Sequence, residues 1–140
     1  MSSVYTDIRA ALETRLGATA SIPDIAWENV SYSPTTNTPF IKPMFTPTSR
    51  RPAVRFTNPQ KLYLGIFTLL CHYPENQGPG ASQRVVDTLV ERFDATTDVS
   101  YTNADSETII LSLEYAEQKN PYSNPPWFVT PIIIGWQLYL

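Results

Sequence analysis

The chain has 140 residues, of which 42% are apolar, 16% charged and 12% aromatic, with a formal charge of −3. That length suits one domain, residues 1–140, large enough to bury a core without a disulfide or metal staple. So aromatic and weakly charged a sequence excludes a disordered chain, and its mild acidity argues against a dedicated nucleic-acid binder.

The lone cysteine, Cys71, leaves no internal disulfide or zinc cluster. Any His-based metal site or catalytic triad would have to use the lone histidine, His72. The N-terminal MSSVYTDIRAALETRLG carries charges throughout and lacks the apolar run of a signal peptide. No stretch reaches the roughly 18 apolar residues of a membrane span. A soluble, cytoplasmic protein with no membrane partner is expected. Thirteen prolines against five glycines predict stiff, extended connections.

In chain order, Val4, Ile8, Ala11, Leu12 and Leu16 recur at helical spacing and predict an amphipathic helix. Ser2 or Ser3 is placed to cap its start, and Gly17 to end it in a left-handed cap. Ile22–Val30 reads as a short extended segment and Ser31–Pro39 as a loop. Phe40–Phe45 predicts an edge strand, because Pro43 lacks a ladder donor. Thr46–Pro59, rich in proline and arginine, reads as an extended arm or open hairpin.

Lys61–Tyr73 is apolar on both of its faces, which predicts a central strand covered on both sides, at least partly by helices. Gly65 within it marks a bulge or a close backbone approach. Pro74–Gly80 is a loop, and Ala81–Phe93 a second helix with Ala81, Val85, Leu89 and Phe93 at i+4 steps. Val99–Thr102 and Thr108–Tyr115 read as strands, Ala116–Trp127 as a proline-rich loop, and Phe128–Tyr139 as a last strand broken by Pro131 and Gly135. The sum is an α+β fold. It has a largely antiparallel or mixed sheet of about five strands, two helices packed on one face, and the proline- and arginine-rich arm.

Charge is segregated along this chain. From Asn29 to Pro74 there is no acid, while Lys42, Arg50, Arg51, Arg55 and Lys61 are basic. Acids cluster later, with Asp87, Glu91 and Asp94 on or just after the second helix and Asp98, Asp105, Glu107, Glu114 and Glu117 beyond it. A basic arm and an acidic body on one molecule favour head-to-tail contact between identical subunits, which closes into a ring when the rotation permits. The bland alternative is that both are solvated faces that never meet.

Catalytic patterns are lacking. Gly78–Gly80 has no phosphate-loop Lys-Ser/Thr and reads as a helix-entry turn. Cys71 and His72 are adjacent in a strand and point to opposite faces, so they form no nucleophile–base pair. Cys71 is expected in the core and His72 at a strand-end surface. Arg50, Arg51 and Arg55 with Phe56 resemble a basic patch with an aromatic, but no RNA-binding signature accompanies them. No catalytic residue, cofactor or metal is expected.

The opening helix Tyr5–Leu16, AWENVSYSP (Ala26–Pro34) and NTPFIKPMFTP (Asn37–Pro47) match a known family in order. They are followed by the strand with internal Gly65, the Gly78–Gly80 loop and the helix ending LVERF (Leu89–Phe93). Across residues 1–115 the sequence resembles the tail terminators of long-tailed bacteriophages, similar to that of phage lambda.

The resemblance implies a non-enzymatic virion protein assembled in the host cytoplasm. It would form a homo-oligomeric ring, commonly a hexamer, on the head-proximal end of the tail tube. Its partners would be itself, the tail tube protein and the head-completion protein, with DNA only passing through the lumen. The competing expectation is a head-completion or connector ring on the portal side. Lys42, Arg50, Arg51, Arg55, Asp87, Glu91 and Asp94 are the residues expected at the subunit or tube interface.

Overall fold

The computed structural model describes residues 3–53 and 60–140. The expected roles of Ser2, Arg55, Phe56 and Pro59 fall outside that range. Helix α1 is Val4–Gly17, and it buries Val4, Asp7, Ile8, Ala11, Leu12 and Leu16. Ser3 stands at its N-cap without a side-chain bond, and its C-cap is Ala18 in a right-handed conformation. The left-handed glycine cap expected at Gly17 does not form, because the helix closes one residue later with the Ala18 N–H on the Thr14 carbonyl at 3.0 Å.

Seven strands follow among the described residues: β1 (Asp24–Ile25), β2 (Phe40–Pro52), β3 (Lys61–Pro74), β4 (Asp98–Thr102), β5 (Thr108–Gln118), β6 (Tyr122–Asn124) and β7 (Trp127–Tyr139). Helix α2 (Gly80–Arg92) lies between β3 and β4. The sheet order is β1-β2-β3-β7-β5-β4, with β6 paired to β7. Only β1–β2 is parallel. This is the α+β class expected, with a mixed sheet larger than five strands.

Three sequence expectations are corrected. The extended Ile22–Val30 segment contributes only the two paired residues of β1. Of the arm or open hairpin expected over Thr46–Pro59, the part to Pro52 is not free but paired strand, since β2 runs antiparallel to β3 from Phe40↔His72 to Pro52↔Lys61. Residues 54–59 lie outside the described range. Ala116–Trp127 is not a loop. β5 runs on to Gln118, the Lys119 N–H reaches the Pro131 carbonyl at 2.9 Å, and β6 pairs Tyr122↔Val129 before the chain turns at Pro125–Pro126.

Nor do Pro131 and Gly135 break β7. They pair with Leu70 and Ile66 in an uninterrupted antiparallel register. A proline whose nitrogen is not asked for a ladder bond costs the sheet little.

Strand side chains alternate between faces. The core shared with the helices takes Tyr63, Phe67, Leu69 and Cys71 from β3 and Ile132, Ile134, Trp136 and Leu138 from β7, so these sit on one face. Ile8, Leu12 and Leu16 of α1 and Val86 and Leu89 of α2 belong to the same core, and the Phe93 ring after α2 meets Phe67 at 6.1 Å.

Gly65 explains itself here. Any Cβ at that position would run into the Trp136 indole, which crosses it to stack on Phe45 at 5.4 Å. Gly135 does the same for the Tyr115 ring on the opposite face.

That opposite face carries Met44 from β2, Leu62, Leu64, Ile66 and Leu70 from β3, and Ile133 from β7. All are half-buried, and none belongs to the helix-side core. β3 is therefore apolar on both faces as expected, but only one of them joins the core of the helices.

Candidate assembly surfaces

From Pro43 to Pro47 the outer edge of β2 offers no free N–H to an added strand. β1 reaches only to Ile41, so from Lys42 onward β2 is the last strand of the sheet. The Phe45 N–H points outward and donates to Glu28 Oε1 at 2.6 Å. Pro43 and Pro47, two residues to either side, share that orientation and have no N–H to offer. The donors an added strand would need are absent at Pro43 and Pro47 and occupied at Phe45.

Glu28 is held in turn by Arg9, whose Nη1 donates to the same Oε1 at 3.0 Å. The Arg9 guanidinium lies 4.8 Å from the centre of the Phe45 ring. This small network ties α1 and the Ala26–Val30 segment to the sheet edge. Sequence reading missed it, and nothing near Glu28 in the chain signals a partner 17 residues away.

Structure separates the basic residues. Lys42 pairs with Leu70 and Arg51 with Leu62, so both rise on the face away from the helices. Arg50 pairs with Tyr63 on the helix side, where its Nε donates to the Tyr63 hydroxyl at 3.3 Å. The bulge between Pro47 and Ser49 sets this phase. Lys42 stands about 26 Å from Arg50 along the strand, so the cations form a row along one edge and not a single patch. Arg55 lies outside the described residues.

The acids are brought closer together. Asp87 and Glu91 are exposed one turn apart on α2, and Asp94 is exposed just beyond its end. Asp87 accepts from Gln83 Nε2 at 2.8 Å, and Asp94 from the Thr96 hydroxyl at 3.1 Å. Ion pairs among the described residues are Arg9–Glu13, Arg9–Glu28 and Lys119–Glu117. Of the described acids and bases expected at an interface, none is neutralised by these, and all are exposed.

At the end of the sheet marked by Pro74 and Trp127, a second aromatic cluster caps the face opposite the helices. Phe40 stacks on His72 at 4.3 Å, meets Trp127 edge-on at 5.1 Å and leans on Tyr32 at 5.1 Å. His72, expected at the surface, is 8% exposed. Burial lowers its pKa, with nearby Lys42 acting in the same sense and the Nδ1 contact to the Leu70 carbonyl opposing them. Cys71, on the other face, is in the core as expected, and burial pushes its thiol up to about 12. A thiol so held stays protonated and unreactive near neutral pH.

The edge of the sheet near α2 is braced. Gln83 and Gln118 exchange reciprocal amide hydrogen bonds at 2.8 and 3.1 Å, and Ser123 bonds Glu75 across to the loop before α2. No helix among the described residues is long and apolar enough to cross a membrane. The described residues hold no cluster of three or more His, Cys, Asp or Glu suited to a metal ion.

No curated protein matches the sequence. A solved structure matches in fold with a TM-score of 0.73 at 18% identity, covering 97% of this chain and 96% of that one. A family model described as phage tail terminator protein matches residues 7–136.

Proposed function

The chain belongs to the phage tail terminator family, whose members are structural parts of the tail. On that premise we propose that it forms a ring, a hexamer, on the head-proximal end of the tail tube. There it stops tube polymerisation and offers the surface on which the filled head docks. The observation that carries this reading is the family match across residues 7–136, which includes all but the ends of the fold.

The surface chemistry supports a head-to-tail ring. Helix α2 presents Asp87 and Glu91, with Asp94 beside its end, while Lys42, Arg50 and Arg51 run along the β2 edge. Opposite charges at different places on one subunit are what a heterologous contact uses. Between Pro43 and Pro47 the blocked β2 edge favours contact through side chains over sheet continuation. In this reading the tube protein and the head-completion protein meet the two ends of the ring, and DNA passes through it without chemistry.

Electron microscopy of lysates from the parent phage lacking this gene tests the reading. Overlong, headless tubes beside full heads are expected. Tails of normal length beside unjoined heads would move the protein to the portal side, and normal virions would overturn both roles. Within the ring, the double variant Arg50→Glu/Arg51→Glu should lose tail-end binding, and Asp87→Lys/Glu91→Lys should lose it likewise. Retained binding by both variants would remove the charge contact.

A further inference from the structure

Among the described residues, the sheet face away from the helix-side core is an apolar surface, half-buried along β3 and exposed at Ile110 and Tyr139. Level by level across the strands it presents Leu62 beside Tyr139 and Ile110, Leu64 beside Gln137 and Ser112, Ile66 beside Gly135 under Tyr115, and Thr68 beside Ile133 and Met44. Ile110 is 60% exposed and Tyr139 50%. These are large side chains to leave in water, and buried charge does not interrupt them.

We infer that this face pairs with the same face of a second copy about a two-fold axis parallel to the strands. Size and charge both point there. From Leu62 to Leu70 the strands run about 26 Å, and five strands span about 24 Å, a flat area of about 600 Å² per copy. A standard interface takes about 800 Å² per partner, so this one fits a weak, reversible pair.

Charge selects the axis. The β2 side of the face carries Lys42 and Arg51. The far side carries Asp98, which pairs with Ser112, and Glu117, which pairs with Ile133 and is bridged to Lys119 at 2.9 Å. A two-fold across the strands would lay Arg51 over Lys42, like on like. A two-fold along the strands lays the β2 side of each copy over the β4 side of the other, with β3 over β5 and β7 over itself, and sets Arg51, at the level of Ser100, near Asp98.

This pair does not depend on the ring reading. Both draw on Arg51, so the pair has to part before a ring using that cation closes.

Sedimentation velocity of the purified chain, from micromolar to millimolar concentration, is the test. The expected result is a concentration-dependent monomer–dimer equilibrium. Arg51→Asp alone and Asp98→Arg alone should each associate at least about tenfold more weakly, because each sets like charges together twice. An equimolar mixture of the two should regain the wild-type affinity, since the swap then faces opposite charges again. Ile133→Glu should abolish association whatever the mixture.

A wild-type chain that stays monomeric throughout would overturn the pair, as would a dimer that survives Ile133→Glu or a mixture no tighter than its parts. Monomeric protein that still caps tails would remove the pair and leave the ring reading standing.

Discussion

The two faces of β3 are almost equally apolar in sequence and differ in what covers them. On β7, Ile132, Ile134 and Trp136 are sealed under the helices at 0% exposure, while Ile133, between them in the chain, is only half-buried on the far side. Hydrophobic pattern alone therefore locates the strand but not the number of layers around it. The open face is the one inferred above to meet a second copy.

The sharpest way to break that comparison is to delete the same side chain on each side. Ile134→Ala, in the covered core, should cost the folded subunit about 2–5 kcal/mol. Ile133→Ala should cost about 1 kcal/mol or less by the same urea titration at low protein concentration. Equal losses would mean that the open face is as much core as the other.

Next in size is Gly65→Ala. The Trp136 indole has no room to yield without leaving Phe45, so a loss of about 1–3 kcal/mol is expected. A shift in the tryptophan near-ultraviolet circular dichroism should accompany it.

Glu28→Ala would free the outward Phe45 N–H and strand Arg9. A loss of about 1–2 kcal/mol is expected, reduced because the Glu28 side chain is one-third exposed. Hydrogen exchange should rise at the Phe45 amide but not at Phe67, which faces it across β3.

The smallest effect belongs to His72. Its pKa is lowered in the fold from 6.5, so the unfolded chain takes up the proton first. Its neutral form stabilises the fold fully above about pH 6.5. That stability falls as pH drops from there through the lowered folded value. His72→Gln should flatten this part of the melting-temperature profile while leaving the profile above pH 7 level; an unchanged acid limb would show that other groups set it.

Much of the architecture is legible in the chain. Both helices show in their i+4 apolar spacing, and β3 shows in its β-branched and aromatic run with Gly65 marking a close approach. The misreadings share one cause. Prolines at 47, 52 and 131 look like breakers, yet they sit where a strand can spare an N–H, and the orientation that spares it is a property of the neighbouring strand.

Tyr122–Asn124 escaped notice for a related reason: its pairing partner, Trp127–Val129, supplies the order that its own polar residues do not signal. Of the residues expected at an interface, the acids on α2 are legible as a group from helical spacing. Arg50 and Arg51 are not, because neighbours in a strand part to opposite faces and a bulge decides which goes where. Glu28 was out of reach altogether, since its role exists only after β2 has docked beside the Ala26–Val30 segment.

The central claim is that this protein stops a tail tube by binding its end. The most direct measurement adds purified, tagged protein to tubes from lysates that lack the gene and locates the tag by electron microscopy. The account predicts one labelled ring at a single end of each tube and no further growth from that end; label along the tube walls, or tubes that keep lengthening past the label, would contradict it.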